Sequence, residues 1–284
     1  MSNRRKLKDL TIRDNFMFTA VMMQDDNCKE FLEMLLGIKI ERINISYEKS
    51  FLYNPEYKGI RLDVYASDEQ NTRYDIEMQV AKEELGKRAR YYHSQMDMDL
   101  LESGHDYEEL PMTYVIFICD FDPFGMEKHC YTFENHCKQD VSLTMGDESR
   151  SIFLSTKGKD DNCISKTLKD FLDFVRNDTS TNDTATSSEY VRKLQKTISK
   201  VKQNRELEQR FMYIEDYWRI MKKQNEVEVR QKNILELLED LGDIPESLSA
   251  RVMSESDFSR LKIMHKMAAK ADSLESFDEA ISNL

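Results

Sequence analysis

Glycine and proline are scarce, 8 and 4 in 284 residues. So few chain breakers argue against a turn-dominated or low-complexity chain and for a helix-rich one. No stretch approaches the roughly 20 apolar residues of a membrane-spanning helix, and the opening MSNRRKLKDLTIRDN lacks the apolar centre of a secretory signal. Five cysteines, an odd number at irregular spacing, make no disulfide framework, so reduced thiols and a cytoplasmic setting are expected. Also missing are a Ser/His/Asp arrangement, a glycine-rich phosphate loop and a dinucleotide fingerprint. Zinc is disfavoured. His129-Cys130 and His136-Cys137 match no Cys/His ligand spacing, and neighbours on a strand point opposite ways. A strand over 128–133 is expected there instead.

Positive charge is in deficit, with a net charge of −12. Residues 1–150 hold 19 basic and 29 acidic side chains, residues 189–284 hold 17 and 18. The acidity therefore sits in the first half, and any contact with a phosphate backbone there needs a local basic strip.

What the chain does have is an alternating stretch from Ile60 to Val80. Ile60, Leu62, Val64 and Ala66 alternate with Arg61, Asp63 and Tyr65. After the polar turn 67–73, Tyr74, Ile76, Met78 and Val80 alternate with Asp75, Glu77 and Gln79. Period-two alternation predicts two strands joined as a hairpin. Asp63, Glu77 and Gln79 share the pleat opposite the apolar residues. They are either a wet sheet face or a cation site, since Asp is a poor strand former and facing carboxylates repel unless a cation lies between them. Oxygen donors suit Mg²⁺ or Mn²⁺.

Around this hairpin, Asp9 to Gly37 reads as helical, interrupted at 24–27 and stopped by Gly37, with Thr11 as a cap and Asp14 as its acidic partner. A strand is expected within 38–52. A helix over 82–103 opens on Lys82, Lys87, Arg88 and Arg90, either a solvated face or a phosphate-contacting strip. Residues 113–119 form a continuous apolar run, expected as a buried strand. Asp120 and Asp122 follow as turn residues, and 151–155 offers a further short strand. A helix is expected over 164–175. The polar tract 177–188 reads as a linker, dividing the chain into 1–188 and 189–284. Beyond it a helix runs to about Leu241, and Gly242–Pro245 separates it from two or three short helices. The stripe Leu207, Phe211, Ile214, Trp218 and Met221 is expected to pack within the chain, a homodimer seam through the C-terminal helices being the alternative.

Asp63 followed by Glu77-Met78-Gln79 resembles the PD-(D/E)XK nuclease signature in its D…ExQ form. DNFMF (14–18), KEFLEMLLG (29–37), RLDVYA (61–66), RARYYHSQM (88–96) and LPMTYVIFICDFDPF (110–124) extend the likeness to the Rpn group of recombination-promoting nucleases and transposase-like proteins, over about two-thirds of the chain. The resemblance implies an α/β, restriction-endonuclease-like core (a mixed sheet flanked by helices) with an all-helical C-terminal region. It implies Mg²⁺- or Mn²⁺-dependent cleavage of DNA phosphodiesters. Asp63, Glu77 and the Met78 carbonyl would hold the metal, with a helix acid, first Asp14 and then Glu30, as a further ligand. Gln79 would stand where many relatives carry Lys, able to orient water but carrying no charge. Lys82, Lys87, Arg88 and Arg90 would face the DNA. The missing Lys and the acidity also admit a second reading, a catalytically weak or inactive nuclease-fold module that binds nucleic acid or protein.

Overall fold

The hairpin of the alternating stretch supplies two adjacent strands of a six-stranded sheet. The computed structural model describes residues 5–47, 49–51, 59–177, 188–282 and 284. Its strands are β1 (Ile43–Tyr47), β2 (Ser50–Phe51), β3 (Ile60–Arg61), β4 (Val64–Asp68), β5 (Arg73–Gln79), β6 (Thr113–Cys119), β7 (Cys130–Phe133) and β8 (Ser149–Ser155). Six of them form one mixed sheet in the order β1-β4-β5-β6-β8-β7, and β2 and β3 pair separately. β4 and β5 are the antiparallel hairpin, and β1 lies antiparallel to β4. β6 runs parallel to β5 and to β8, and β7 closes the edge antiparallel to β8. All seven residues of β6 are buried, as expected of a parallel strand covered on both faces.

The run 60–66 is two strands, not the single one that its alternation predicts. The chain changes sheets at Leu62 and Asp63, where Leu62 N–H donates to the Lys49 carbonyl and Asp63 N–H donates to a carboxylate oxygen of Glu77, 2.9 Å away. A side chain thus takes the backbone donor that a continuous strand would have paired. In the hairpin turn, one Asp68 oxygen accepts from the N–H groups of Gln70 and Thr72, and Asn71 supplies the left-handed residue at φ 67°.

The helices of the first unit are α1 (Asn15–Met22), α2 (Asp25–Leu36), α3 (Gly86–Leu100), α4 (Lys166–Asn177) and α5 (Glu189–Gln203). Gly37 ends α2 at φ 67°, as expected of a left-handed cap. The polar residues 24–27, expected as a break, are the N-cap and first turn of α2, and the Asn27 amide donates to the Val21 carbonyl. α3 starts at Gly86, so Lys82 precedes the helix on which it was expected.

The first compact unit ends at Glu208 and the second begins at Gln209, displaced from the division expected at 188/189. The reason is that α5 presents Tyr190, Val191, Leu194, Ile198 and Val201 as buried residues and packs on α1, α2 and α4. The Tyr190 hydroxyl donates to the Asn27 carbonyl at 3.0 Å. Ser188 caps α5; the rest of the expected linker, 178–187, lies outside the described residues. The long helix expected from Tyr190 breaks at Asn204, which leaves α5 in extended geometry and accepts from Leu207 N–H to open α6 (Arg205–Glu239).

The second unit holds most of α6 with α7 (Glu246–Ser254), α8 (Phe258–Ala268) and α9 (Leu274–Ser282). Ile234, Leu238, Leu248, Val252, Leu261, Met264, Phe277 and Ile281 form its core. The buried Gln231 amide donates to the carbonyls of Met253 and Glu255, satisfying the end of α7. The stripe expected to pack within the chain does so at Phe211, whereas Trp218 and Met221 are exposed. No described helix is long and apolar enough to cross a membrane. The five cysteines are free thiols.

Candidate active site

Register brings the acids together. Tyr65 pairs with Asp75 across the hairpin, so the next residue pair outward on that face is Asp63 and Glu77. In the parallel pairing with β6, Asp75, Glu77 and Gln79 stand beside Val115, Phe117 and Cys119. These apolar neighbours belong to the core cluster that α3 closes with Leu85, Ala89, Tyr92 and Met96. The acids therefore project into an apolar layer, and Asp63, Asp75, Glu77 and Gln79 are all buried.

Burial there disfavours the charged form of each carboxyl. Desolvation, then the Asp63 charge, pushes Glu77 up to about 7, against the opposing pull of Arg88. Asp75 is pushed well above the ordinary carboxylate range by burial and then by Glu77 and Asp63. Neither Asp75 oxygen accepts a hydrogen bond, an uncommon condition for a buried carboxyl. Asp63 accepts from the Asn15 amide at 3.4 Å and from Met78 N–H at 3.3 Å, and Thr19 donates to its backbone carbonyl.

The Met78 carbonyl, the expected backbone ligand, faces the same side. Gln79 C=O accepts from Asp120 N–H beyond the end of β6. Successive carbonyls alternate along a strand, which turns that of Met78 toward Asp63.

Arg88, expected as a phosphate contact, reaches back into the acids instead. Its Nη2 donates to Glu77 Oε2 at 2.5 Å, its Nη1 to Gln79 Oε1 at 2.9 Å and its Nε to the Tyr92 hydroxyl at 2.7 Å. The guanidinium also stacks over Tyr92 and Phe117, 5.0 and 5.4 Å from the ring centres. The planar fork of Arg suits this three-sided grip, which a Lys could not make. Gln79 is held at both ends, since its Nε2 donates to the Ala81 carbonyl at 2.7 Å. The amide expected to orient water is thus fixed by protein atoms.

The expected helix acids lie elsewhere. Asp14 accepts from Thr11 N–H and hydroxyl and pairs with Arg5; its neighbour Asn15 reaches the Asp63 carboxylate. Glu30 pairs with Lys193 of α5 at 2.9 Å. Lys82, Lys87 and Arg90 are exposed. Asp120 pairs with Arg13 and Lys157, and Asp122 closes its turn by accepting from Phe124 N–H, Glu127 N–H and the Tyr131 hydroxyl. His129 is tied to Asp161, 3.0 Å away. Among the described residues no three or more His, Cys, Asp or Glu side chains are grouped to hold a metal. The D…ExQ set is accordingly two carboxylates and a carbonyl.

A family model described as PD-(D/E)XK nuclease family transposase matches residues 15–230. The chain belongs to this family. No curated protein and no solved structure matches it. The matched span contains the complete hairpin, α3 and the sheet through β8, and with them Asp63, Glu77 and Gln79. Asp75 and the inward role of Arg88 escape a reading of the D…ExQ spacing alone. Asp75 shares the pleat of Glu77 two residues earlier, which was the signal for it. Arg88 becomes a partner only once α3 folds over β5 and β6.

PD-(D/E)XK nucleases generally use divalent metal ions. The residues here fit one: the donors are oxygens, which suit Mg²⁺ or Mn²⁺, and Asp63 and Glu77 raise each other's energy in an apolar layer where a cation would offset the repulsion. Asp63, Glu77 and the Met78 carbonyl would hold it, and when bound it would supply a Lewis acid and a more acidic water.

Proposed function

We propose that the chain is a divalent-metal-dependent DNA endonuclease, hydrolysing phosphodiesters at the Asp63–Glu77 site. The observation that carries this reading is the pairing of two mutually destabilised carboxylates with one clamped cation, Arg88. Gln79 occupies the strand position where a Lys charge would stand, and Arg88 delivers a positive charge to the same pleat from α3. A cation held in an apolar layer stabilises negative charge growing on a phosphate far better than one in water. Its hydrogen bonds and ring contacts fix its position before substrate arrives. Gln79 then acts as a positioning residue for Arg88. Exposed Lys82, Lys87 and Arg90, at the start of α3, would contact the phosphate backbone and position the duplex.

The test is single-turnover cleavage of a labelled duplex in Mn²⁺ or Mg²⁺ by wild type, Glu77→Ala, Arg88→Ala and Arg88→Ala/Gln79→Lys. Glu77→Ala should abolish cleavage. Arg88→Ala should cost on the order of 10²–10³-fold, as for loss of one oriented group at a developing anion. The double variant should recover part of that loss by returning a cation from the strand. Cleavage that survives Glu77→Ala overturns the assignment. An Arg88→Ala variant more active than wild type would instead identify Arg88 as a plug on Glu77 and favour the inactive-module reading.

A further inference from the structure

Helix α6 carries much of its apolar surface on the outside. Every residue from Tyr217 to Glu226 is exposed, and Tyr213, Trp218 and Ile220 are 75%, 54% and 55% exposed. At about 100° per residue, Tyr213, Ile214, Tyr217, Trp218, Ile220 and Met221 share one half of the helix. Arg219 stands opposite them, paired with Asp216 at 3.0 Å. A band of large apolar and aromatic side chains of this kind marks an interaction surface.

The charges select the occupant. Counting outward from Arg219 in both directions, Arg210 mirrors Glu228 and Glu206 mirrors Lys232, and all four lie on the apolar half of the helix. Two copies laid antiparallel about a two-fold axis at residue 219 bring Arg210 level with the partner's Glu228, and Glu206 level with the partner's Lys232. The same operation sets Tyr217 level with the partner's Met221, and Trp218 level with the partner's Ile220. Arg210 and Glu228 lie directly opposite Arg219, so they meet across the middle of the apolar face. The other mirrored pairs, Asp216 with Lys222, Glu215 with Lys223 and Glu208 with Arg230, stand on the Arg219 side and take no part in the seam. Parallel pairing would instead lay Arg210, and likewise Glu228, beside its own copy. An isologous two-fold interface needs this kind of self-complementarity, and a partner of different sequence would not. We infer that α6 is the seam of an antiparallel homodimer centred on Arg219.

The full-length chain tests this by sedimentation equilibrium, with Trp218, the single tryptophan, as an internal reporter. Wild type should sediment at twice 33.6 kDa, and its tryptophan emission should shift to the red on dilution. Tyr217→Glu/Trp218→Glu should sediment as a monomer with an unchanged far-ultraviolet spectrum. Arg210→Glu should weaken dimerisation about tenfold or more by opposing like charges across the seam. Arg210→Glu/Glu228→Arg should restore it. A wild-type monomer at roughly 100 µM, where a micromolar Kd would be saturated, overturns the proposal without any variant. So does a dimer indifferent to Tyr217→Glu/Trp218→Glu, or failure of the double charge reversal to recover what the single one loses.

Discussion

Replacing Glu77 by Gln removes one charge from the apolar layer between the sheet and α3 while keeping the side chain's shape. Glu77 keeps its proton up to about 7 in the folded chain, against an ordinary value of 4.5. Between those values the folded state binds the additional proton. The group's contribution is therefore most favourable below about pH 4.5 and is lost as pH rises through 7, a change of about 3 kcal/mol. The raised value already includes the opposing pull of Arg88 and of the Asp63 N–H, and the neutral Gln amide stands in for the protonated carboxyl. Glu77→Gln should then be more stable than wild type by about 3 kcal/mol at pH 8 in EDTA, and about equal to it near pH 4.5. Urea unfolding of both proteins at the two pH values measures it, and the variant-minus-wild-type difference cancels the other titrating groups. A difference that does not grow with pH, or a variant less stable at pH 8, would refute the claim that burial and Asp63 hold this carboxyl up.

Three further outcomes are expected. Mg²⁺ or Mn²⁺ at a hundredfold excess over Kd should stabilise wild type by about 2–3 kcal/mol and leave Asp63→Asn unmoved, which thermal unfolding with and without metal reads directly. Replacing Lys82, Lys87 and Arg90 by Ala should lower the slope of log binding constant against log salt by roughly 0.9 for each phosphate no longer neutralised; an unchanged slope in duplex titrations would place the DNA elsewhere. Gln231→Leu should destabilise the second unit by about 1–3 kcal/mol, because the Met253 and Glu255 carbonyls lose their donor, and chemical denaturation checks it.

The sheet was legible where one physical signal dominated. The seven-residue apolar run of β6 had no competing interpretation, and the period-two pattern of β5 placed Glu77 and Gln79 on one face. It failed at Leu62 and Asp63, where the alternation continues but the hydrogen bonds change partner: alternation reports side-chain direction and says nothing of which strand accepts the backbone donors. The division at 188/189 failed for a related reason. A polar tract marks a flexible connection in sequence, but the apolar face of α5 finds its partners back on α1, α2 and α4. Asp14 and Asn15 differ by one position, but Asp14 is the N-cap in extended geometry and Asn15 the first helical residue, which sends one to Arg5 and its neighbour to Asp63. Conversely, the α6 stripe has the spacing of a core seam, yet Trp218 is 54% exposed: spacing reports which side chains share a face and says nothing of what lies over it.

The acidity of the first half looks different once the positions of the charges are known. Three acids of that half are engaged with cations of their own: Asp14 with Arg5, Asp99 with Lys49, Asp120 with Arg13 and Lys157. What remains in the apolar layer is Asp63, Asp75 and Glu77 against Arg88. That local imbalance, and not the net charge of −12, is what a DNA phosphate approaching the site would meet. A phosphate cannot enter beside three carboxyls and one guanidinium unless protons or cations compensate, since each uncompensated pair is costly at low effective dielectric. The burial and mutual repulsion that push Glu77 and Asp75 upward favour proton uptake at this point. The deficit of positive charge is thus concentrated at the two strand positions that a divalent ion would occupy. The exposed Lys82, Lys87 and Arg90 lie in the neighbouring stretch of sequence, where a duplex could be held without sharing their charge with the acids.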